Sequence, residues 1–137
     1  MFDLFRKAPD LKRAIAEVNA SPSAKNQRAL EECVRSSVLF VASPVVPEHW
    51  KGTVVLGEEV SIPVLTSESP GAGVALLCFT DADEVRRRTT SDSCFGLRFL
   101  DMCGLVARHD YAGIIINPAG PWAGLPASRL RELGHAA

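Results

Sequence analysis

The sequence predicts an α+β domain in which a mixed, largely antiparallel β-sheet packs with helices, and a helical pair stands at the N-terminus. Three observations support this fold class. Two amphipathic helical patterns open the chain, several short apolar runs typical of strands follow, and helical patterns return after residue 80. Strands grouped before helices favour an α+β domain. The two most apolar runs are separated by helices, which predicts one parallel connection and therefore a mixed sheet.

The first two helices are predicted from the spacing of apolar residues. In residues 10–18 apolar side chains recur at i, i+4 and i+7, and the charged residues fall on the other face. Pro22 ends this helix because proline cannot continue a helix and restricts the residue before it. A second helix is predicted for residues 24–35, so the two helices form an antiparallel pair.

The middle of the chain carries patterns typical of strands. Residues 38–42 are a compact apolar run and predict a buried strand. Strands are also predicted for residues 53–56 and 60–66, and the second of these alternates apolar and polar side chains. Residues 67–73, with one proline and two glycines, are predicted as a hairpin connection. The most apolar strand follows at residues 73–80, and we expect it to be central.

Helical patterns return in the second half of the chain. Asp81 and Glu84 stand at the spacing of a capping box, which satisfies free amides at the start of a helix. Arginines at residues 86–88 close this short helix, where cations complement the negative end of its dipole. A longer helix is predicted for residues 95–108, and a second apolar strand for residues 112–117.

The C-terminal segment is predicted to be a loop followed by a helix. Residues 119–125 are rich in glycine and proline, which indicates a loop. In the helix that follows, Pro126 lies in the first turn and Leu130 and Leu133 face inward. Gly134 is predicted to end the helix.

Length, composition and charge describe one globular domain and exclude several classes of function. The chain has 137 residues, 47% of them apolar and 23% charged, which is typical of a single domain. We place that domain at residues 10–134, with tails at residues 1–9 and 135–137. The net charge of −1 argues against a nucleic-acid binder, which needs many phosphate contacts. The longest apolar run, residues 74–79, is far shorter than the about 20 residues of a membrane span. We therefore expect neither nucleic acid nor membrane as a partner, and a cytoplasmic location.

The sequence contains no motif that marks an enzyme or a metal site. Nucleophile-elbow, phosphate-loop, dinucleotide-binding and zinc-protease patterns are all missing. The four cysteines include no C-x-x-C pair, the spacing that zinc and redox sites use. Asp81, Asp83 and Glu84 fit the start of a helix better than a calcium loop. We expect no catalytic residue, no metal and no cofactor, and an uncharacterised hydrolase or transferase is the least favoured alternative.

The residues left for function lie at strand ends and in loops. Thr80 and Asp81 follow one apolar strand and Asn117 follows the other, so parallel pairing would bring them together at a sheet edge where ligands often bind. The simpler alternative is that they cap a helix and shape a turn. Trp50 and Trp122 lie in loops and are either partner anchors or plugs at the ends of the sheet. We call the whole candidate surface for a partner or ligand the strand-end rim: Thr80, Asp81, Asn117, Trp122, Trp50, Arg86, Arg87 and Arg88.

Three segments, in order, carry a family resemblance. Residues 30–41 lead from a helix into a strand, residues 77–85 contain Phe79-Thr80-Asp81 at a strand-to-helix junction, and residues 113–118 end in Asn117-Pro118. Together they resemble the N-terminal domain of the enhanced-serine-sensitivity (SseB) proteins. That resemblance implies an α+β domain with no established enzymatic activity and no catalytic residues. It also implies a bacterial source. The family's further C-terminal domain does not follow here, and we therefore expect less of any function that needs both domains.

The resemblance leads to a first functional hypothesis. We expect a non-enzymatic cytosolic interaction module with an unidentified protein partner, in a bacterial stress or toxin- and secretion-linked context, using the strand-end rim. A regulatory domain that binds a small molecule at the same rim is the alternative. A homodimer also stays open.

Overall fold

The computed structural model describes residues 2–43, 53–54, 64–69, 71, 73–88 and 94–136. These residues form five helices and seven strands, in an α+β arrangement as predicted. In chain order the elements are α1 Phe2–Ala20, α2 Ala24–Arg35, β1 Val38–Ala42, β2 Thr53–Val54, β3 Thr66–Ser69, β4 Gly73–Cys78, α3 Ala82–Arg88, β5 Cys94–Arg98, α4 Phe99–Arg108, β6 Gly113–Ile116, β7 Ala123–Pro126 and α5 Ala127–Ala136.

The N-terminal helical pair is present, and α2 has the predicted bounds. The turn at Pro22 separates the helices, and the Ser23 hydroxyl accepts a hydrogen bond from the Asn26 amide at 3.1 Å, so Ser23 caps α2. The structure has α1 beginning at Phe2, upstream of the predicted start at residue 10. None of the helices in the described ranges is both long and apolar enough to cross a bilayer.

The strands form two adjoining sheets. One has the order β1-β5-β2 and the other the order β3-β4-β6-β7. They adjoin because Phe40 of β1 and Phe79, just after β4, exchange backbone hydrogen bonds of 2.8 Å in both directions. The predicted parallel crossover is confirmed, since β4 and β6 are parallel neighbours, and β4 is central as expected. The β1–β5, β3–β4 and β6–β7 pairs are antiparallel, so the arrangement is mixed and mostly antiparallel.

Two predictions about strands and loops are wrong because strand pairing overrides local composition. Residues 66–69 form β3, paired with β4, and therefore belong to the hairpin rather than to its connection. Gly71 and Gly73, with φ of 80° and 88°, supply the left-handed backbone at this turn. Residues 123–125, predicted as a loop, form β7 together with Pro126, because Ala123 and Leu125 enter the core while Gly124 and Pro126 face outward. Pro126 therefore precedes the last helix and does not lie in its first turn.

Two predictions about helix ends are also wrong. The segment before Phe99 is strand β5, in which Phe95 and Leu97 are buried while the backbone pairs with β1. The long helix therefore starts at Phe99 and not at residue 95. Gly134 does not end the last helix, which continues to Ala136. The inward positions of Leu130 and Leu133 are confirmed.

Several predicted segments lie wholly or partly outside the described residues. The strand predicted for residues 53–56 is described over Thr53–Val54, where it is β2. Of the strand predicted for residues 60–66, only residues 64–66 are described, and the first two are not in a strand. Trp50 also lies outside the described residues.

The two faces of the β3-β4-β6-β7 sheet have different surroundings. Leu76 and Cys78 of β4 belong to the main core, together with residues of helices α1, α2, α4 and α5. Leu77 and Phe79 point to the opposite face, because side chains alternate along a strand, and form a smaller cluster with Val85 of α3. The candidate site lies at the carboxyl ends of β4 and β6, just after the last paired residues, Cys78 and Ile116.

Candidate functional site

The carboxyl ends of β4 and β6 meet as the sequence predicted, and hydrogen bonds join the residues that follow them. The amide of Asn117 donates to the carbonyl of Cys78 at 2.9 Å. The side-chain oxygen of Asn117 accepts from the Thr80 amide at 3.0 Å, and its Nδ2 donates to the Thr80 hydroxyl at 3.2 Å. Thr80 and Asn117 are 2% and 3% exposed. The two residues therefore satisfy each other's polar groups below the surface.

The backbone of Asn117 also shapes the turn that follows β6. Its φ is 56°, in the left-handed region that asparagine adopts more readily than most residues. Its carbonyl accepts a hydrogen bond from the Gly120 amide at 2.8 Å. Asn117 thus acts as both a turn residue and a buried hydrogen-bonding partner, which is the structural alternative considered from the sequence.

Asp81 is the N-cap of α3 and contacts a lysine from α1. Its Oδ1 accepts from the Glu84 amide at 2.9 Å, and its Oδ2 lies 3.0 Å from the Thr80 hydroxyl and 3.2 Å from Lys12 Nζ. Burial acts to raise the pKa of Asp81, but hydrogen bonds from the Glu84 amide, Lys12 and Thr80 outweigh it, so its pKa is lowered. The first half of the predicted capping box is confirmed.

Lys12 and Glu84 complete this polar group. Lys12 Nζ lies 3.1 Å from Glu84 Oε1, and Glu84 is 5% exposed. Burial acts to lower the pKa of Lys12, but its hydrogen bonds to Glu84 and Asp81 raise it overall. No sequence pattern singles out Lys12, which lies on the charged face of α1. We call Lys12, Thr80, Asp81, Glu84 and Asn117 the strand-end cluster.

The three arginines of α3 have different surroundings. Arg87 donates to both carboxylate oxygens of Glu84, at 2.9 and 3.1 Å, and Arg86 pairs with Asp83. Arg88 forms no ion pair with the described part of the chain. Arg86 and Arg87 are thus held by carboxylates of their own helix, whereas Arg88 has no such partner among the described residues.

A cavity of about 280 Å³ lies on the sheet face opposite the main core, and we call it the Trp122–Arg88 cavity. Leu77 and Ile115 are paired neighbours on β4 and β6 and form its apolar floor. Trp122 is 55% exposed, and its Cζ3 lies 3.5 Å from the position that a Cβ on Gly124 would take. The described residues that line the cavity are Ser67, Leu77, Arg88, Ile115, Pro118 and Trp122.

A much smaller cavity of about 60 Å³ borders the strand-end cluster. It is lined by Lys12, Glu84, Asn117 and Pro121. Pockets for small molecules are typically about 300–1,000 Å³. This one is therefore too small for a metabolite, and the polar groups beside it already contact one another.

The structure divides the predicted strand-end rim into two parts. Thr80, Asp81 and Asn117 lie together in the strand-end cluster, while Trp122 and Arg88 line the cavity. Across residues 2–43, 53–54, 64–69, 71, 73–88 and 94–136, no three His, Cys, Asp or Glu side chains are grouped to hold a metal ion. The carboxylates of Asp81, Asp83 and Glu84 instead face lysine and arginine side chains.

Comparison with known proteins identifies one family. The family model described as the SseB protein N-terminal domain matches residues 11–132. No curated protein and no solved structure matches the chain. The matched range includes both strand ends, with Thr80, Asp81 and Asn117, and extends over nearly the whole sequence. The chain therefore belongs to the SseB family, and its residues 11–132 match the N-terminal domain of that family.

Proposed function

We propose that this SseB-family domain is a non-enzymatic protein-interaction module that binds an acidic and partly apolar segment of a partner protein in the Trp122–Arg88 cavity. The observation that carries the proposal is Trp122, a large aromatic residue that is 55% exposed beside an apolar floor. Tryptophan and arginine are enriched among the residues that dominate binding energy at interfaces. We also propose the cytoplasmic, bacterial setting that the family resemblance implies.

Charge supports an acidic partner. Arg86 and Arg87 pair with carboxylates of α3, whereas Arg88 forms no ion pair with the described residues and lines the cavity. A guanidinium binds a carboxylate through two parallel hydrogen bonds, which gives orientation as well as energy. A partner segment with an aspartate or glutamate beside an apolar side chain would use both Arg88 and the floor formed by Leu77 and Ile115.

The geometry of the site favours this proposal over catalysis or small-molecule binding. Asp81, with its lowered pKa and its contacts to Lys12 and Thr80, is a poor general base. The cavity of about 280 Å³ lies just below the usual range of about 300–1,000 Å³ for small-molecule pockets. An open cavity flanked by an exposed tryptophan is better suited to a side chain that projects from a protein partner.

The proposal can be tested with displayed random peptides of about 12 residues, selected on the wild-type chain and then assayed for binding to Trp122→Ala. We expect the enriched peptides to share an acidic residue next to Leu, Ile or Phe. Synthetic versions should bind with micromolar Kd, and Trp122→Ala and Arg88→Ala should each weaken binding by about tenfold or more. Arg28→Ala removes an exposed arginine from α2 and serves as the control, for which we expect unchanged binding.

Two results would contradict the proposal. Enriched peptides that bind Trp122→Ala as tightly as the wild type would place the interaction elsewhere. The small-molecule alternative would replace it if no peptide were enriched but an anionic metabolite raised the Tm of the wild type and not of Trp122→Ala.

A further inference from the structure

We propose a second interaction surface, independent of the Trp122–Arg88 cavity, in which a groove between α4 and α5 binds an amphipathic partner helix with acidic flanks. The groove has a volume of about 260 Å³ and runs between two helices that pack against each other. Leu100, at its border, is 60% exposed. The described residues that line it are Leu100, Cys103, Gly104, Val106, Ala107, Ala127, Leu130, Arg131, Gly134 and His135.

Two glycines keep this groove open without being needed for internal packing. Gly104 lies within α4 and Gly134 within α5, although glycine is less favourable in a helix than alanine. A Cβ on Gly104 would meet no atom within 4 Å, and one on Gly134 would meet only Cys103 Sγ at 3.9 Å, an ordinary contact. Residues that oppose local structure without a packing reason are expected at functional surfaces.

The shape of the groove fits a helix. Along α4, the residues that line the groove recur at helical spacing: Leu100, Gly104 and Ala107. Along α5, the same spacing holds for Ala127, Leu130 or Arg131, and Gly134. The groove is therefore bordered on each helix by a row of mostly small and apolar residues. An amphipathic helix that presents apolar side chains at i, i+3, i+4 and i+7 would place them between these rows.

The charges at the border determine which helix fits. Arg131 and His135 both line the groove, and no carboxylate is among the described residues that line it. Acidic residues on the flanks of the partner helix would complement this border. Because the described lining holds no carboxylate, a second copy docked through the same surface would offer Arg131 no opposite charge. The charge of the groove therefore favours a different, acidic partner over a second copy of the chain.

The test uses a fluorescein-labelled peptide of about 16 residues, with leucines at i, i+3, i+4 and i+7 and glutamates beside them, in fluorescence anisotropy with the full chain. We expect micromolar Kd for the wild type and about tenfold or weaker binding for Gly104→Leu, which fills the groove. Ala16→Leu, which adds the same side chain at an exposed position of α1, is the matched control and should bind like the wild type. Circular dichroism checks that Gly104→Leu is folded.

Two further variants keep the proposal falsifiable if Gly104→Leu does not fold. Leu100→Ser removes an exposed apolar side chain and should weaken binding about threefold or more. Arg131→Glu should weaken binding of the glutamate peptide and improve binding of a matched lysine peptide.

Four outcomes would overturn the inference. One is no binding to the wild type, and another is equal binding to the wild type and the folded Gly104→Leu chain. The third is a dimer in sedimentation analysis that Gly104→Leu dissociates, which would assign the groove to a second copy. Trp122→Ala should leave the binding of the glutamate peptide unchanged, and loss of binding there would move the site to the other surface.

Discussion

The strand-end cluster and the Trp122–Arg88 cavity are built from the same two strands, but they differ in how far their polar groups are satisfied. In the cluster, the side chains of Thr80 and Asn117 bond to each other and are almost fully buried. In the cavity, Trp122 is exposed and Arg88 forms no ion pair with the described residues. Buried polar groups are costly to leave unpaired, whereas exposed ones can exchange water for a partner. The cluster should therefore determine stability, and the cavity should determine binding.

The largest effect on stability is expected from Asn117→Ala. Alanine leaves the buried Thr80 amide without its partner, removes the hydrogen bond from Asn117 Nδ2 to the Thr80 hydroxyl, and places a less tolerant residue at a φ of 56°. We expect the free energy of unfolding to fall by about 3 kcal/mol in urea denaturation. Asn117→Gly tolerates that φ but lacks the side chain, so it should lose about 2 kcal/mol and isolate the hydrogen bonds. A loss below about 1 kcal/mol for Asn117→Ala would mean that the cluster does not stabilise the fold.

Lys12→Met should have the next largest effect. Methionine keeps the packing of the aliphatic stem but leaves the carboxylates of Asp81 and Glu84 without their shared cation. Because the Lys12 side chain is 42% exposed, we expect only about 1 kcal/mol of lost stability at pH 7. Lys25→Met, at an exposed position of α2, should change stability by less than about 0.5 kcal/mol. Equal effects of the two variants would contradict a role for Lys12 in the cluster.

The decline of stability at low pH should show how much the carboxylate of Asp81 in the strand-end cluster contributes to stability. Burial raises the pKa of Asp81 but its hydrogen bonds lower it overall, and hydrogen bonds from Arg129 lower the pKa of Glu31. A carboxyl whose pKa is lower when folded contributes stability above its unfolded pKa and loses it as the pH falls through the folded pKa. Stability should therefore decline below about pH 4. Urea denaturation between pH 7 and pH 3 should show a smaller decline for Lys12→Met than for the wild type, and identical declines would contradict the assignment to Asp81.

Trp122→Ala should have the smallest effect on stability and the largest effect on binding. Its side chain is 55% exposed, so we expect a change within about 0.5 kcal/mol in the free energy of unfolding. The same variant should lose binding of the selected peptides. Asn117→Ala, in contrast, should lower stability and leave the Kd of the folded chain for these peptides unchanged. A destabilisation above about 2 kcal/mol for Trp122→Ala would assign Trp122 to the core instead of the interface.

Local patterns predicted the elements whose apolar residues are continuous in sequence. The bounds of β1 and the position of β6 follow from such runs, the bounds of α2 follow from the spacing of its apolar residues, and the meeting of Thr80 with Asn117 follows from the parallel crossover. The strand β5 was missed because Phe95, Phe99 and Cys103 also fit a helical spacing, and only pairing with β1 selects the strand. The composition of β7 likewise favours a loop, because glycine and proline are depleted in strands.

The candidate site could be predicted only where neighbours in the chain or strand ends define it. The contact of Lys12 with Asp81 and Glu84 depends on how α1 lies against α3, which no short-range pattern records. Trp122 and Arg88 line the cavity, whereas Thr80 and Asn117 lie in the strand-end cluster. Which of these two places a residue reaches depends on its position relative to the faces of the sheet. For a residue beyond the end of a strand, the alternation of side chains no longer decides that face.

The crossover from β4 to β6 carries a consequence for the order of folding. Between these parallel neighbours the chain leaves their sheet, forms β5 beside β1, and returns. Strand β5 of the first sheet thus lies in the connection from β4 to β6, and strands β3 and β4 of the second sheet lie in the connection from β2 to β5. The backbone hydrogen bonds between Phe40 and Phe79 join the two sheets directly. Because the strands of the two sheets alternate along the chain and the sheets are joined by backbone hydrogen bonds, the two should form and be lost in one cooperative step. Native-state hydrogen exchange should then show the amides of Phe40 and Ile116 opening with the same free energy.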